Sequence, residues 1–316
     1  MKKYRVFIDG SEGTTGLRIN ERFEGREDIE VMKIDPELRK DPAERKKLIN
    51  ASDYTFLCLL DAAAREAVSL VEDPDTVIID ASTAHRVEPG WAYGLPELSK
   101  SHFEAVRTSK RIAVPGCYAS GFVMIAYPLV SEGILGPDHP FVVPAISGYS
   151  GAGKKGIAQY EADDKTKDLF SPRQYGLTQM HKHLPEMKII PGLTTEPVFL
   201  PVVDDYYCGM IVNVPIHAYL MKKKMSPEDI RDMLAAYYEG QPFIRVRKYG
   251  AEAETNGFLA ANELASKDCA DILVTGNDDR IVVSAVFDNL GKGASGAAVE
   301  CLNISMGIDA TTGLKL

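Results

Sequence analysis

Apolar and polar positions alternate in blocks along the first third of the chain, and the blocks come in two lengths. Short apolar runs read as buried strands: Tyr4 to Asp9, Ile29 to Ile34, Tyr54 to Leu60 and Thr76 to Asp80. Between them lie stretches of helical period, Thr15 to Arg22, Pro42 to Asn50 and Asp61 to Val71, the last expected to be capped by its own aspartate. Strands alternating with crossover-length helices predict a parallel, doubly wound sheet. From about Phe141 the rhythm changes to longer β-rich segments: Phe199 to Val203, Tyr206 to Pro215, Phe243 to Val246, Ile272 to Thr275 and Arg280 to Asp288. A single strong helix, Pro227 to Tyr238 with a serine cap at Ser226, separates them, and a small-residue-rich helical segment, Ala294 to Met306, follows. The expected fold is therefore α/β: a Rossmann-type parallel sheet domain with a second α+β domain carrying a mixed sheet. Residues 1–116 plus 294–316 form the first, and 117–293 the second.

Composition narrows the function without naming it. A chain of 316 residues with 45% hydrophobic and 26% charged positions has the ordinary mix of a protein with a sizeable core. A formal charge of -9 argues against nucleic acid as a partner, and no apolar run approaches the ~18 residues that span a bilayer. Met1 to Val6 leads directly into a strand, with no signal-peptide core expected. Five cysteines at wide, irregular spacing form no CxxC pair, so neither a disulfide framework nor a metal site is expected, and a reducing cytoplasm fits.

Candidate chemistry centres on Val114-Pro115-Gly116-Cys117-Tyr118-Ala119-Ser120-Gly121. Cys117 falls between a short strand-like stretch and a helix-like one, so its thiol is placed at the amino end of a helix. Unpaired N–H groups and the helix dipole there favour thiolate, the nucleophilic form. Asp9-Gly10-Ser11-Glu12-Gly13-Thr14-Thr15-Gly16 follows the first strand and opens the first helix, the position of a dinucleotide pyrophosphate turn, although the spacing is GxxGxxG and not GxGxxG. The second strand ends at Asp35, where an acidic residue would bind a ribose hydroxyl. Arg39 and Lys40 could instead accept a 2′-phosphate, or form a solvated charge cluster.

Two of only six histidines occur in His181-Lys182-His183, a source of acid–base catalysis; HxH could also bind metal, but nothing nearby completes a ligand set. Ser147-Gly148-Tyr149-Ser150-Gly151-Ala152-Gly153-Lys154 combines bare N–H groups with a lysine and suits a phosphate. Asp288-Asn289-Leu290-Gly291-Lys292-Gly293 could approach a flat cofactor ring or merely turn the chain. Ser82, Thr83 and Arg86 follow the fourth strand, where ligands of open parallel sheets collect, and Arg86 could bind a carboxylate bidentately.

Taken together, GSEGTTG, ASTAHR, YGLPEL, PGCYASG, SGYSGAGKKG, HKHLPEM and DNLGKGASGAAVECLN resemble the N-acetyl-γ-glutamyl-phosphate reductases in their shorter form, essentially end to end. The resemblance implies an NADP-dependent oxidoreductase of arginine biosynthesis that reduces an acyl phosphate to a semialdehyde through a cysteine thioester. Cys117 is then the acylated nucleophile, His183 the catalytic histidine and His181 the next choice. Cofactor contacts are expected from Gly10, Ser11, Gly13, Thr14, Thr15, Gly16, Arg39, Cys58, Leu59, Ser82, Asn289 and Gly291. Substrate contacts are expected from Thr83, Arg86, Tyr118, Ser147, Gly148, Ser150, Gly151 and Lys154, with no metal. Homodimer or homotetramer formation through the second domain is implied. One departure stands out: Leu60 occupies a position where such enzymes tend to have proline. The rival readings are aspartate-semialdehyde dehydrogenase, a non-catalytic dinucleotide-binding module, and a cysteine hydrolase that leaves the glycine turn unexplained.

Overall fold

The run Val6-Phe7-Ile8 is buried on both faces, as a strand inside a parallel sheet must be, and it organises everything before residue 116. A computed structural model describes residues 3–316; Met1 and Lys2, the start of the expected first domain, lie outside the described residues. The chain divides into two compact units, one reaching Gly116 and taking in Ala294–Leu314, the other Cys117–Gly293 with Lys315–Leu316.

The first unit runs β1 (Tyr4–Asp9), α1 (Thr14–Phe23), β2 (Ile29–Met32), α2 (Pro42–Ala51), β3 (Tyr54–Leu57), α3 (Asp61–Ser69), β4 (Val77–Asp80), β5 (Ala92–Tyr93), α4 (Lys100–Thr108) and β6 (Arg111–Ala113). Among the described residues these strands form one all-parallel sheet in the order β2-β1-β3-β4-β6-β5. The order reverses between β1 and β3, so the crevice beyond their carboxyl ends is the topological switch point where ligands of such sheets bind. Local chemistry sets the helix starts. Asp41 accepts from the N–H groups of Ala43 and Glu44 ahead of α2, with Pro42 in the first turn, and Ser99 accepts from His102 N ahead of α4.

The expected aspartate cap of α3 is corrected. Leu60, not Asp61, is the cap residue, extended at φ −71° and ψ 152° and giving no side-chain bond. Asp61 lies inside the helix, and its carboxylate accepts instead from Thr83 N (3.0 Å) and Thr83 Oγ1 (2.5 Å). Two donors on the neighbouring loop outcompete the helix's own N–H groups.

The second unit comprises α5 (Cys117–Ser131), β7 (Val142–Gly148), α6 (Gly153–Tyr160), β8 (Arg173–Gln174), α7 (Leu184–Ile189), β9 (Val198–Asp204), β10 (Met210–His217), α8 (Pro227–Tyr237), β11 (Ile244–Val246), β12 (Ala270–Gly276) and β13 (Arg280–Phe287). A π-helical turn at Gly291–Ser295 leads into α9 (Gly296–Met306), which belongs to the first unit. The sheet order is β11-β12-β13-β10-β7-β9-β8, mixed as expected: β7 and β9 run parallel, as do β11 and β12, and the other pairs run antiparallel. Ser226 caps α8 in a reciprocal capping box with Asp229. Among the described residues α8 is the one α-helix between the β-rich segments from Phe199 onward, as expected, while α6 and α7 precede them. The expected strand from Tyr206 starts only at Met210. Gly209, at φ +110°, turns the chain where a β-carbon would meet Ala261 O at 2.3 Å.

Candidate active site

Cys117 is the first residue of α5, a helix buried almost all round. Its half-buried thiol stands where a helix leaves N–H groups unsatisfied and its dipole is positive, conditions that favour thiolate. The helix is seated by Gly121: a β-carbon there would stand 2.6 Å from Val212 Cγ2 and 2.8 Å from Phe287 Cε1, so α5 lies directly on β10 and β13.

Tyr118, the neighbour of Cys117, brings the histidines into the same cluster. Its ring centroid is 6.2 Å from that of His181, 6.1 Å from His183 and 5.2 Å from Phe199, and its hydroxyl donates to Val202 O at 3.0 Å. The two imidazoles meet edge to face at 4.6 Å, and the main-chain N–H of His183 donates to His181 Nδ1 at 3.2 Å. A ring nitrogen that accepts a hydrogen bond carries no proton, so the proton of neutral His181 resides on Nε2. His183 is buried at the start of α7, whereas His181 is half-buried.

Tyr175, which the spacing of motifs did not mark, completes the aromatic wall at 6.4 Å from Tyr118 and 5.8 Å from His181. Burial pushes the Tyr118 phenol well above its ordinary range, and the neighbouring Tyr175 and Cys117 add to the effect. Burial likewise raises Tyr175, with Cys117 adding to it and the hydrogen bond to Tyr118 opposing it. Both phenols therefore stay protonated beside Cys117.

The second glycine-rich stretch is mostly a packed junction. Ser147 Oγ donates to Gly148 O at 3.1 Å, and Gly148 lies 2.6 Å, measured from where its β-carbon would be, from both Tyr206 O and Tyr207 O. Asn289 Nδ2 donates to Ser150 Oγ at 2.9 Å and Asn289 Oδ1 accepts from Gly209 N, so Ser150, Gly151 and Asn289 meet. Lys154 is exposed on α6. Gly291 packs on Lys267 O, and the buried Asp288 carboxylate accepts from the N–H groups of Ser266, Leu290 and Gly291. Lys292, unmarked by sequence, is fully buried with Nζ 5.0 Å from the Phe243 ring centroid.

In the first unit the glycine turn and the end of β3 come together. Gly10 adopts φ +89°, and a β-carbon on it would lie 2.4 Å from Cys58 O and 3.2 Å from Leu59 Cδ2. Gly16 is equally constrained, its β-carbon position 2.6 Å from Gly10 O, while Gly13 N closes the turn on Gly10 O at 3.0 Å. Only bare backbone fits at Gly10 and Gly16, and the half-buried Ser11, Thr14 and Thr15 line the start of α1. That cradle suits a dinucleotide's pyrophosphate.

Beneath it Arg45 Nε donates to Asp9 Oδ2 at 2.9 Å, and Arg45 Nη1 to Glu66 at 2.7 Å. Burial raises the Asp9 carboxyl above its usual range against the pull of Arg45. Burial also pushes the Cys58 thiol up to about 12, with Asp80 and Asp9 adding to it. A groove of 910 Å³ beside the turn is lined by Ser11, Asn20, Lys33 and Asp35 among others; Arg39 is exposed and not part of its lining.

The residues after β4 are engaged with the protein itself. Ser82 donates through N and Oγ to Asp80, whose Oδ2 also meets His85 Nδ1 at 2.6 Å, and His85 stacks on Trp91. Thr83 is held by Asp61, and Arg86 donates to Val114 O at 2.9 Å and Ala81 O at 3.4 Å.

Known proteins place this arrangement. Residues 5–106 match the semialdehyde dehydrogenase NAD binding domain, and residues 117–289 the semialdehyde dehydrogenase dimerisation domain. The chain is 41% identical to N-acetyl-gamma-glutamyl-phosphate reductase 2 of a Nostoc species over 99% of its own length and 100% of that protein. It is 42% identical to the N-acetyl-gamma-glutamyl-phosphate reductase of a Chelativorans species over 96% of this chain and 98% of that one. Among solved structures, aspartate semialdehyde dehydrogenase II from Vibrio cholerae, complexed with ASA, superposes with a TM-score of 0.71 at 16% identity, covering 97% of this chain and 99% of that one. The aspartate semialdehyde dehydrogenase from Francisella tularensis gives 0.72 at 14% identity over 95% and 99%. At such identity the likeness speaks to the fold. Among the described residues no helix is long and apolar enough to cross a membrane.

Proposed function

The chain belongs to the semialdehyde dehydrogenase family, among the N-acetyl-γ-glutamyl-phosphate reductases, and from that premise we propose that it reduces N-acetyl-γ-glutamyl phosphate to N-acetylglutamate 5-semialdehyde and phosphate with NADPH, reversibly. The observation that carries the reading is Cys117 at the amino end of α5, with the ring of its neighbour Tyr118 against both His181 and His183.

In this reading the Cys117 thiolate attacks the γ-carbonyl carbon. The S–C bond forms, the C–O bond to phosphate breaks, and phosphate leaves with the electron pair. The chemistry the dinucleotide supplies when bound is hydride for the resulting thioester. As the semialdehyde forms, the C–S pair returns to Cys117, which departs as thiolate. His183 handles the proton and, when protonated, pairs with the thiolate; His181 is the second choice. Tyr118, buried and held neutral, walls one side of this cluster, with the more exposed Tyr175 at its rim.

The glycine turn with Cys58 and Leu59 supports a nicotinamide dinucleotide in the first unit. NADP is the proposed form: Lys33 lines the adjoining groove, Arg39 and Lys40 follow β2, and Asp35 Oδ1 already accepts from Glu37 N at 2.9 Å. The match of 117–289 to a dimerisation domain supports a homodimer or homotetramer, and the proposed place of action is the cytoplasm.

The test is an assay of the purified chain with N-acetylglutamate 5-semialdehyde, phosphate and NADP. Phosphate-dependent NADPH formation is expected, with aspartate semialdehyde a poor substitute. A Cys117→Ala protein is expected to fold and bind NADP yet show no turnover. Substantial residual turnover by that variant defeats covalent catalysis, and preference for aspartate semialdehyde defeats the substrate assignment.

A further inference from the structure

Ser120 stands three residues after Cys117 in the first turn of α5 and is only 1% exposed. Among the described residues nothing accepts from or donates to its hydroxyl. A buried hydroxyl without a partner is costly and is the exception in folded proteins. A serine in a helix has an easy remedy, a hydrogen bond to the carbonyl four residues earlier, here Gly116, and Ser120 does not use it.

The helix directs that hydroxyl. Residues three apart share one face, and helical side chains lean toward the amino end, so Ser120 lies on the Cys117 face and inclines toward the sulfur-bearing turn. Gly121, wedged on Val212 and Phe287, fixes the rotation of α5. The positive end of a helix of 15 residues and a buried, unpaired O–H thus share the side of α5 that carries Cys117.

We propose that Ser120 is a further catalytic residue whose hydroxyl donates to the acyl oxygen as negative charge gathers on it, together with the N–H groups at the start of α5. This rests on the reading that Cys117 becomes acylated. The Ser120 proton stays on Oγ throughout, and no bond to Ser120 forms or breaks. The donor matters most when the carbonyl carbon is tetrahedral, so it acts on rate more than on substrate binding.

The decisive variant is Ser120→Ala, which removes one oxygen and keeps the volume. Expected are a kcat lower by about 10²- to 10³-fold, a KM within a few-fold, and a urea midpoint equal to or above the parent's, because the lost hydroxyl stabilised nothing. Ser120→Thr, which restores the O–H, is expected to recover most of the rate. The acylation burst with p-nitrophenyl acetate, which charges a reactive thiol whatever the natural acyl group, is expected to slow by a comparable factor. The pH profile of Cys117 alkylation by iodoacetamide is expected not to move. Unchanged kcat, a lowered urea midpoint matching the loss of rate, or a shifted alkylation profile each overturns the proposal; the last would assign Ser120 to the thiolate. If the wild-type chain shows the burst but no turnover of N-acetylglutamate 5-semialdehyde, the substrate reading falls while Ser120 is still judged from the burst.

Discussion

Gly293 lies bare against Cys117: a β-carbon built on it would stand 2.9 Å from Cys117 Cβ and 3.2 Å from both Asp288 O and Phe287 Cε2. The π-helical turn that presents it is held from below by the Asp288 carboxylate, and Gly293 N donates to Asp288 O at 3.0 Å. A stretch read as either approaching a flat cofactor ring or merely turning the chain packs against the Cys117 side chain. Gly293→Ala forces Cys117 or the turn to shift, because neither neighbour is a flexible side-chain end. Alkylation of Cys117 is expected to slow at least about ten-fold and turnover to fall with it, while NADP affinity stays near the parent's. Equal alkylation rates in the two proteins defeat this account.

The main-chain N–H of His183 donates to His181 Nδ1, which ties up one ring nitrogen of His181 and makes the two imidazoles unequal. His183→Asn is expected to cost about 10²–10⁴ in kcat. His181→Asn keeps an acceptor for that N–H and is expected to cost less. A pH–rate profile on each variant checks the assignment; the reverse order of damage moves the acid–base role to His181.

Arg45 and Asp9 are both buried at the base of the glycine turn. Arg45→Met leaves the Asp9 carboxylate buried without its cation. Removing one partner of a buried pair costs about 3–5 kcal/mol. Chemical denaturation is expected to show a loss of that order, with weaker NADP binding because Asp9 precedes Gly10. A variant as stable as the parent would mean that the pair is already hydrated.

Cys58, at the end of β3, holds its proton up to about 12 against an ordinary thiol value of 9.0, chiefly through burial. The unfolded chain releases that proton first. The stabilising contribution is therefore whole below about pH 9 and is lost as pH climbs toward 12. Cys58→Ala is expected to flatten the fall in urea midpoint between about pH 8 and pH 10.5. Near neutral pH the parent's Cys58 is expected to resist alkylation while Cys117 reacts, as peptide mapping after a short iodoacetamide pulse would show.

Leu60 is 85% exposed and already holds φ −71° and ψ 152° as the cap of α3. Proline prefers that φ, so Leu60→Pro is expected to stabilise the protein by about 0.4–1 kcal/mol through the unfolded state, with kcat unchanged. Thermal denaturation with a parallel activity assay decides it. A lower midpoint would show that the Leu60 N–H holds something in the fold.

The residues that could be read from the chain were those whose role is local. Gly10 follows a buried strand and opens a helix, and its close approach to Cys58 is what such a turn exists to allow. Cys117 at a helix start is likewise a matter of adjacent residues. Roles created by distant contacts were not legible. Asn289 and Ser150 both sit in glycine-rich stretches and read as ligand groups, yet they bond to each other across 139 positions. Arg86, read as a carboxylate ligand, donates to main-chain carbonyls at Val114 and Ala81. The glycine-rich stretch from Ser147 to Lys154 read as a phosphate-binding segment, but from Gly153 to Tyr160 the chain is helical, its tertiary setting overriding weak propensity. Tyr175 carries no motif at all; only the fold sets it beside Tyr118.

The last helix has a consequence for how the molecule is made. Ala297, Ala298, Val299, Leu302 and Ile304 of α9 share one apolar cluster with Val6, Phe56 and Ile79 of β1, β3 and β4. A nascent chain emerging amino end first thus lacks a wall of its first unit until α9, about 180 residues beyond Gly116, has been translated. Until then the strands of that unit are part-covered, and their bare apolar face is open to aggregation. Deleting the final twenty or so residues would damage the beginning of the protein more than its middle.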